Sequence, residues 1–302
     1  MSNIFGALKK GGRTPASLQE GDVEEVSLKP GSESAEVKTA SATHRMIHRP
    51  PAPIMLAQPG GVQLTTREQS LRISALAPLL PFDTGQYLAA EQYQIIRTKI
   101  SHHARKPQLV LISSATAGDG KTVTSINVAA SFALKTDARV LLIDGDLRKP
   151  TVAKTLGIPA NPGLSDVLSG RCEFESALVR ARQVPNLYIL AAGEGEERAA
   201  DLLDSERWRA LVAHVRGCFT SIVCDAPPIA TVADYELLQL VADGVILVAR
   251  PGHTDRAACN KAIASIPQAK LLGVVLNCVQ DWWLWKTPSY GYYRKESAGA
   301  KE

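Results

Sequence analysis

An apolar run, Leu109-Val110-Leu111-Ile112, gives way to Ser113-Ser114-Ala115-Thr116-Ala117-Gly118-Asp119-Gly120-Lys121-Thr122. No other stretch limits the fold so tightly. A buried strand, a loop of small residues and a helix opening at a lysine make a phosphate cradle, because small side chains let successive backbone N–H groups turn inward around polyphosphate oxygens. Lys121 adds a point charge, and the Thr122 hydroxyl is placed to hold Mg²⁺. The helix beginning there contributes the positive end of its dipole. The expected ligand is a nucleotide, bound by Ala117, Gly118, Asp119, Gly120, Lys121 and Thr122. Ala115 replaces the first glycine of the usual GxxxxGK[ST] pattern, so the reading needs support from elsewhere in the chain.

Two acidic motifs supply it. Arg139-Val140-Leu141-Leu142-Ile143 is a short β-type run ending in Asp144-Gly145-Asp146-Leu147-Arg148, and Ser221-Ile222-Val223-Cys224 ends in Asp225-Ala226-Pro227-Pro228. In a parallel α/β sheet the ligand crevice lies at the carboxyl ends of the strands, so the phosphate loop and three aspartates converge there. Mg²⁺ takes oxygen ligands, commonly one or two carboxylates with substrate phosphates and water. The set fits Mg-ATP.

Strand and helix alternate regularly after the phosphate loop. Strands are predicted near 109–114, 139–144, 187–191, 220–225, 244–250 and 271–277, and helices near 121–135, 201–216, 231–241 and 255–267. Crossovers between β-branched, apolar strands predict an α/β fold with a mainly parallel twisted sheet and helices on both faces. A further helix starts near Gly85, with Tyr87, Leu88, Tyr93, Ile95, Ile96 and Ile100 on one broad face. Residues 1–80, rich in Gly, Ser, Thr, Pro and mixed charge, have the composition of a disordered arm. Ile4, Phe5 and Leu8, followed by Lys9 and Lys10, offer the competing reading of a short amphipathic docking helix. The expected division is an arm over 1–80, a nucleotide-binding domain over 81–280 and an aromatic tail over 281–302.

Composition removes several function classes. A formal charge of +4 on 302 residues, with no basic stripe interleaved with aromatics, gives no case for nucleic acid. Asp243 interrupts the best apolar stretch, Leu237 to Ala249, and no run reaches the ~18 residues a membrane span requires. Five cysteines without CxxC spacing suit a reduced interior, and the cytosol is expected. Cys224 and Cys278, each at the end of an apolar strand, are read as core residues rather than reactive thiols.

The order of motifs, followed by a terminal group Ser289-Tyr290-Gly291-Tyr292-Tyr293-Arg294, resembles the bacterial tyrosine kinase family of polysaccharide-export systems, whose fold is related to that of partitioning ATPases. The likeness runs from about residue 85 to 295 and includes Gly163-Leu164-Ser165-Asp166-Val167-Leu168, Ala200-Asp201-Leu202-Leu203 and Gly273-Val274-Val275-Leu276-Asn277. The resemblance implies a catalytic set of Lys121, Asp144 and Asp146. Asp144 would lie nearest the reacting phosphate, and Thr122, Asp146 and Asp225 would serve the metal, Asp225 through a bound water. It also implies that Asn277 reads the adenine edge, with a plain turn residue as the alternative, and that Tyr290, Tyr292 and Tyr293 are autophosphorylated. Arg148 stands open between a site residue and a surface ion pair.

The segment Glu91-Gln92-Tyr93-Gln94-Ile95-Ile96-Arg97 resembles the family's ring-forming ExxRxxR helix, with Gln94 at the first arginine position. Glu91 and Arg97 could pair between subunits, or the helix could simply cap the domain. Trp282, Trp283 and Trp285 are read as anchors for the tail, on its own domain or on a partner. By resemblance the chain is the stand-alone cytoplasmic type, brought to the inner membrane by a chain-length co-polymerase that activates it. The implied function is ATP-dependent tyrosine autokinase activity controlling polysaccharide polymerisation. The alternative is a nucleotide-switched positioning ATPase. Such ATPases carry a second lysine early in the phosphate loop, where this chain has Thr116.

Overall fold

Residues 66–72, 87–229 and 233–279 are described by the computed structural model. Their strands are β1 (Arg67–Gln69), β2 (Leu109–Ser114), β3 (Val140–Asp144), β4 (Val179–Ala181), β5 (Leu187–Leu190), β6 (Ser221–Asp225), β7 (Gly244–Ala249) and β8 (Leu271–Leu276). Between them run α1 (Tyr87–Ser101), α2 (Lys121–Ala133), α3 (Val152–Leu156), α4 (Leu164–Leu168), α5 (Phe174–Ala177), α6 (Ala199–Leu203), α7 (Glu206–Cys218), α8 (Asp234–Val241) and α9 (Arg256–Ser265). The sheet order is β1-β4-β5-β3-β6-β2-β7-β8, parallel throughout except where β4 meets β5.

Every residue of β2, β3 and β7 is buried, as expected for strands covered on both faces. Alternation along each strand sorts the core into two layers. Leu109, Leu111, Leu141, Ile143, Ile222 and Leu247 pack under residues of α4 to α9. Val110, Ile112, Val140, Leu142, Val223 and Val248 pack under α1, α2 and α3. The strand order places β6 between β3 and β2, so the two acid-tipped strands and the strand feeding the phosphate loop are immediate neighbours. Asp144 is in register with Asp225, and Asp225 with Ile112. Adjacent strands lie ~4.8 Å apart, so this register alone brings the two carboxylates together.

The predicted strands appear within a residue or two of their expected bounds. The predicted helix over 201–216 is instead two, because Ser205 caps the second by accepting from Trp208 N at 3.2 Å. α3, α4, α5, β1 and β4 carry three to five residues each, too few to show a period in sequence. β1 lies inside the stretch that composition reads as an arm. Its backbone pairs with β4, and Leu71 beyond it is buried against the core. Residues 1–65, including Ile4, Phe5 and Leu8, lie outside the described residues, as do Trp282, Trp283, Trp285, Tyr290, Tyr292 and Tyr293. Cys224 is buried as expected, but Cys278 is exposed. It sits at φ 57° in the turn that leaves β8. No described helix is long and apolar enough to cross a membrane.

Candidate active site

The phosphate loop leaves β2 at Ser114 and enters α2 at Lys121. Ala117 and Gly118 are exposed at its tip, while Ala115 and Asp119 are buried at its base. Gly118 and Gly120 adopt φ of 87° and 92°, in the left-handed region where a side chain is strained. At Gly120 the need for glycine is also steric, since a Cβ would lie 1.9 Å from the Asn277 amide nitrogen. That amide donates to the Asp119 carbonyl at 2.9 Å, and its oxygen accepts from Cys278 N at 2.9 Å. Asn277 thus braces the back of the loop.

Five side chains gather around Lys121. Its Nζ lies 3.0 Å from Asp146 Oδ2 and 3.5 Å from Asp225 Oδ2. Thr122 Oγ1 donates to Asp225 Oδ2 at 2.7 Å, and Ser125 Oγ donates to Asp225 Oδ1 at 3.0 Å. Asp144 Oδ2 accepts from the backbone N–H groups of Thr151 and Val152, at 3.1 and 3.0 Å. Its Oδ1 accepts from Asp146 N at 3.3 Å. Gly145 is required between these acids, because a Cβ would meet Cys224 Sγ at 2.8 Å and the Asp225 carbonyl at 2.9 Å. Lys121, Thr122, Asp144, Asp146 and Asp225 are therefore brought to one rim, whereas the side chains of Asp119 and Asn277 brace the phosphate loop.

The electrostatics follow from burial. Removal from water, with Asp225 alongside, pushes the Asp144 carboxyl up to about 7, against the pull of its backbone donors and Lys121. Asp225 is raised by burial too, although Lys121, Thr122 and Ser125 oppose the shift. Burial disfavours the Lys121 ammonium, but Asp225 and Asp146 outweigh it and hold the amine above its ordinary value. Three acids and one lysine, largely out of water, form a strongly coupled charge cluster.

Sequence reasoning named Asp119 and left Arg148 open, but it missed Thr151, His253 and Thr254. Asp119, wholly buried, accepts from Thr116 N at 2.9 Å, from Thr116 Oγ1 at 3.0 Å, from Thr254 Oγ1 at 2.6 Å, and pairs with His253 Nδ1 at 3.1 Å. His253 and Thr254 lie in the turn after β7, which a rule about strand ends could have flagged. Thr151 Oγ1 is 2.8 Å from Thr122 Oγ1. Arg148 makes a two-pronged pair with the buried Asp234, at 2.7 and 3.2 Å, and donates to the Glu197 carbonyl at 3.0 Å. It thus ties the loop after β3 to the start of α8.

A phosphate-loop fold with acids on the two neighbouring strand ends defines a P-loop protein of the nucleotide-dependent phosphoryl-transfer class. No family model matches the chain. Among curated proteins it is 37% identical over 210 residues to the tyrosine-protein kinase YwqD of Bacillus subtilis, covering 68% of this chain and 86% of that one. It is 30% identical to the putative tyrosine-protein kinase CapB of Staphylococcus aureus, covering 74% and 97%. Among solved structures, the VpsO kinase domain superposes with a TM-score of 0.59 at 31% identity, over 65% of this chain and 98% of that one. The kinase domain of the Escherichia coli tyrosine kinase ETK gives 0.61 at 25% identity, over 66% and 79%. The chain belongs to the bacterial protein-tyrosine kinase family, and it is a protein-tyrosine kinase rather than a positioning ATPase.

Proposed function

We propose that this chain is an ATP- and Mg²⁺-dependent autokinase of polysaccharide polymerisation and export, which phosphorylates Tyr290, Tyr292 and Tyr293 of its own tail. One observation carries the reading: Lys121, Thr122, Asp144, Asp146 and Asp225 converge where three adjacent parallel strands end. Phosphoryl transfer requires mainly positioning and neutralisation of charge, which this set supplies.

The residues suit a hard cation shared with phosphate. Mg²⁺ takes oxygen ligands and usually shares its shell with substrate phosphates and water. Thr122 would be a direct ligand. Both Asp225 oxygens already accept hydroxyl donors, which suits a water-mediated role, and Asp146 would support the same shell. When bound, Mg²⁺ neutralises charge on the phosphate oxygens. The loop N–H groups and Lys121 hold the β- and γ-phosphates. Asp144, poised near neutrality, takes the proton of the attacking tyrosine hydroxyl as the new O–P bond forms and the bond to ADP breaks. Asn277 commits one amide N–H and one carbonyl lone pair to the backbone, and would read the adenine edge with the donor and acceptor that remain.

Assembly is part of the proposal. α1 packs on α2 through Ala90, Tyr93 and Ile100, and Arg97 donates to the Ser131 carbonyl of its own chain at 3.1 Å. A ring built through Glu91 and Arg97 would use the guanidinium donors that remain. The activator is an inner-membrane chain-length co-polymerase, which would bring the protein to the membrane's cytoplasmic face. A chimerical protein named CapA2B2 superposes with a TM-score of 0.62 at 25% identity, over 70% of this chain and 92% of that one.

The test is transfer of ³²P from γ-labelled ATP in an assembly that includes the activator. Wild type labels on tyrosine. Lys121→Met and the triple Tyr290→Phe, Tyr292→Phe, Tyr293→Phe variant are each expected to lose label at least tenfold. Undiminished labelling of Lys121→Met would reject the site, whereas phosphate release without protein label in wild type would reject the autokinase.

A further inference from the structure

Asp119 is a buried carboxylate that the phosphoryl-transfer chemistry does not use. It is wholly inaccessible, yet it takes no part in the Lys121 cluster. Its two oxygens face two segments that are distant in sequence. Thr116 N and Oγ1 come from the phosphate loop itself. His253 Nδ1 and Thr254 Oγ1, more than 130 residues further on, come from the turn after β7 and share Oδ1. The second ring nitrogen of His253 then lies 3.3 Å from where a Cβ on Gly118 would stand, so the imidazole lies alongside the exposed tip of the loop. Thr254 is itself fixed, since its Oγ1 accepts from Arg250 N at 2.7 Å and its N–H donates to the Arg250 carbonyl at 2.8 Å. Asn277, just past the last strand, completes the bracket by donating to the Asp119 carbonyl and leaving no room for a side chain at Gly120.

A loop of small residues with two left-handed glycines has many accessible shapes, and ordering it on a phosphate costs conformational entropy. A charged acceptor that crosslinks it to a fixed turn removes that cost beforehand, because hydrogen bonds to a buried carboxylate are among the stronger ones. We propose that Asp119, His253 and Thr254 form a clamp that pre-shapes the phosphate loop, so that the turn after β7 is a positioning element for the triphosphate. Asp119 and Thr254 act through the loop backbone and do not touch the reacting atoms. The clamp therefore governs how tightly nucleotide is held, and not the transfer step. The inference rests on the reading that this loop holds nucleotide.

The test uses the full chain with its activator and the probe mant-ATP with Mg²⁺, alongside ³²P labelling at varied ATP. Thr254→Val removes the donor at nearly constant shape. It is expected to weaken mant-ATP binding and raise the half-saturating ATP concentration by about tenfold, with the maximal labelling rate within twofold of wild type. Thr254→Ser restores the hydroxyl and is expected to bind within twofold of wild type. His253→Ala, at a side chain 43% exposed, preserves folding and is expected to weaken binding by a few fold. A Thr254→Val protein that binds and labels like wild type, while Lys121→Met has lost mant-ATP, overturns the clamp alone. Equal loss in Thr254→Val and Thr254→Ser, or a fall in maximal rate at unchanged half-saturation, also overturns it. If Lys121→Met still binds mant-ATP like wild type, the nucleotide reading falls, and the clamp with it.

Discussion

At the scale of single residues, the most consequential is Asp144. Its carboxyl is pushed from 3.8 to about 7, so between about pH 4 and 7 the folded protein keeps a proton that the unfolded chain releases. The native state binds more protons across that window, and Asp144 therefore lowers stability as pH rises through it, with the penalty constant above about 7. In the nucleotide-free protein, Asp144→Asn is expected to raise the melting temperature relative to wild type at pH 8 but not at pH 4. Calorimetric scans at the two values check this. An equal difference at both would mean that the carboxyl is not perturbed. Gly145 and Gly120 are residue-scale constraints of another kind, fixed by the close approach of β6 and of Asn277 just past β8.

At the scale of elements, the foot of the sheet is held by an ion pair with no part in the chemistry. Arg216 of α7 grips Asp243 at 2.8 and 2.9 Å, and Asp243 Oδ2 also accepts from Gln108 N and Leu109 N. Burial alone would raise the Asp243 carboxyl, but Arg216 and the two backbone donors hold it below its ordinary value. Asp243→Ala leaves the donors at the start of β2 unpaired and is expected to cost about 1–3 kcal/mol in urea unfolding, with nucleotide binding retained. The acid that breaks the apolar run in the sequence is thus the residue that seats β7 beside β2. The central strands were readable because a doubly covered strand is a continuous apolar run. β1 and β4 were not, because a three-residue strand draws its stability from its neighbours and is too short to leave a pattern of its own.

At the scale of the whole molecule, the proposed autokinase reaction needs the catalytic rim and the tyrosine tail to meet, within one copy or between two. A wild-type chain lacking residues 281–302, mixed with full-length Lys121→Met, tests transfer between copies. The inactive chain is expected to gain label on Tyr290, Tyr292 or Tyr293 in the presence of the activator. Label confined to full-length active chains would assign the reaction to a single copy. On the proposed function each phosphate would add roughly −1.5 to −2 charges and would repel the tail from the acidic rim, loosening any assembly built on that contact.

The sequence by itself determined the alternation of strand and helix, the phosphate loop, and the placing of Asp144, Asp146 and Asp225 at strand ends. These are local properties: apolar runs, small-residue turns and a lysine at a helix start carry their meaning within a dozen residues. Only the tertiary structure decided that β6 lies between β3 and β2, that Arg97 reaches the Ser131 carbonyl and that Arg148 pairs with Asp234. It alone decided that the turn after β7 closes on Asp119. Those outcomes depend on which crossovers the sheet makes, and a contact spanning more than 130 residues has no signature in the period of either segment it joins.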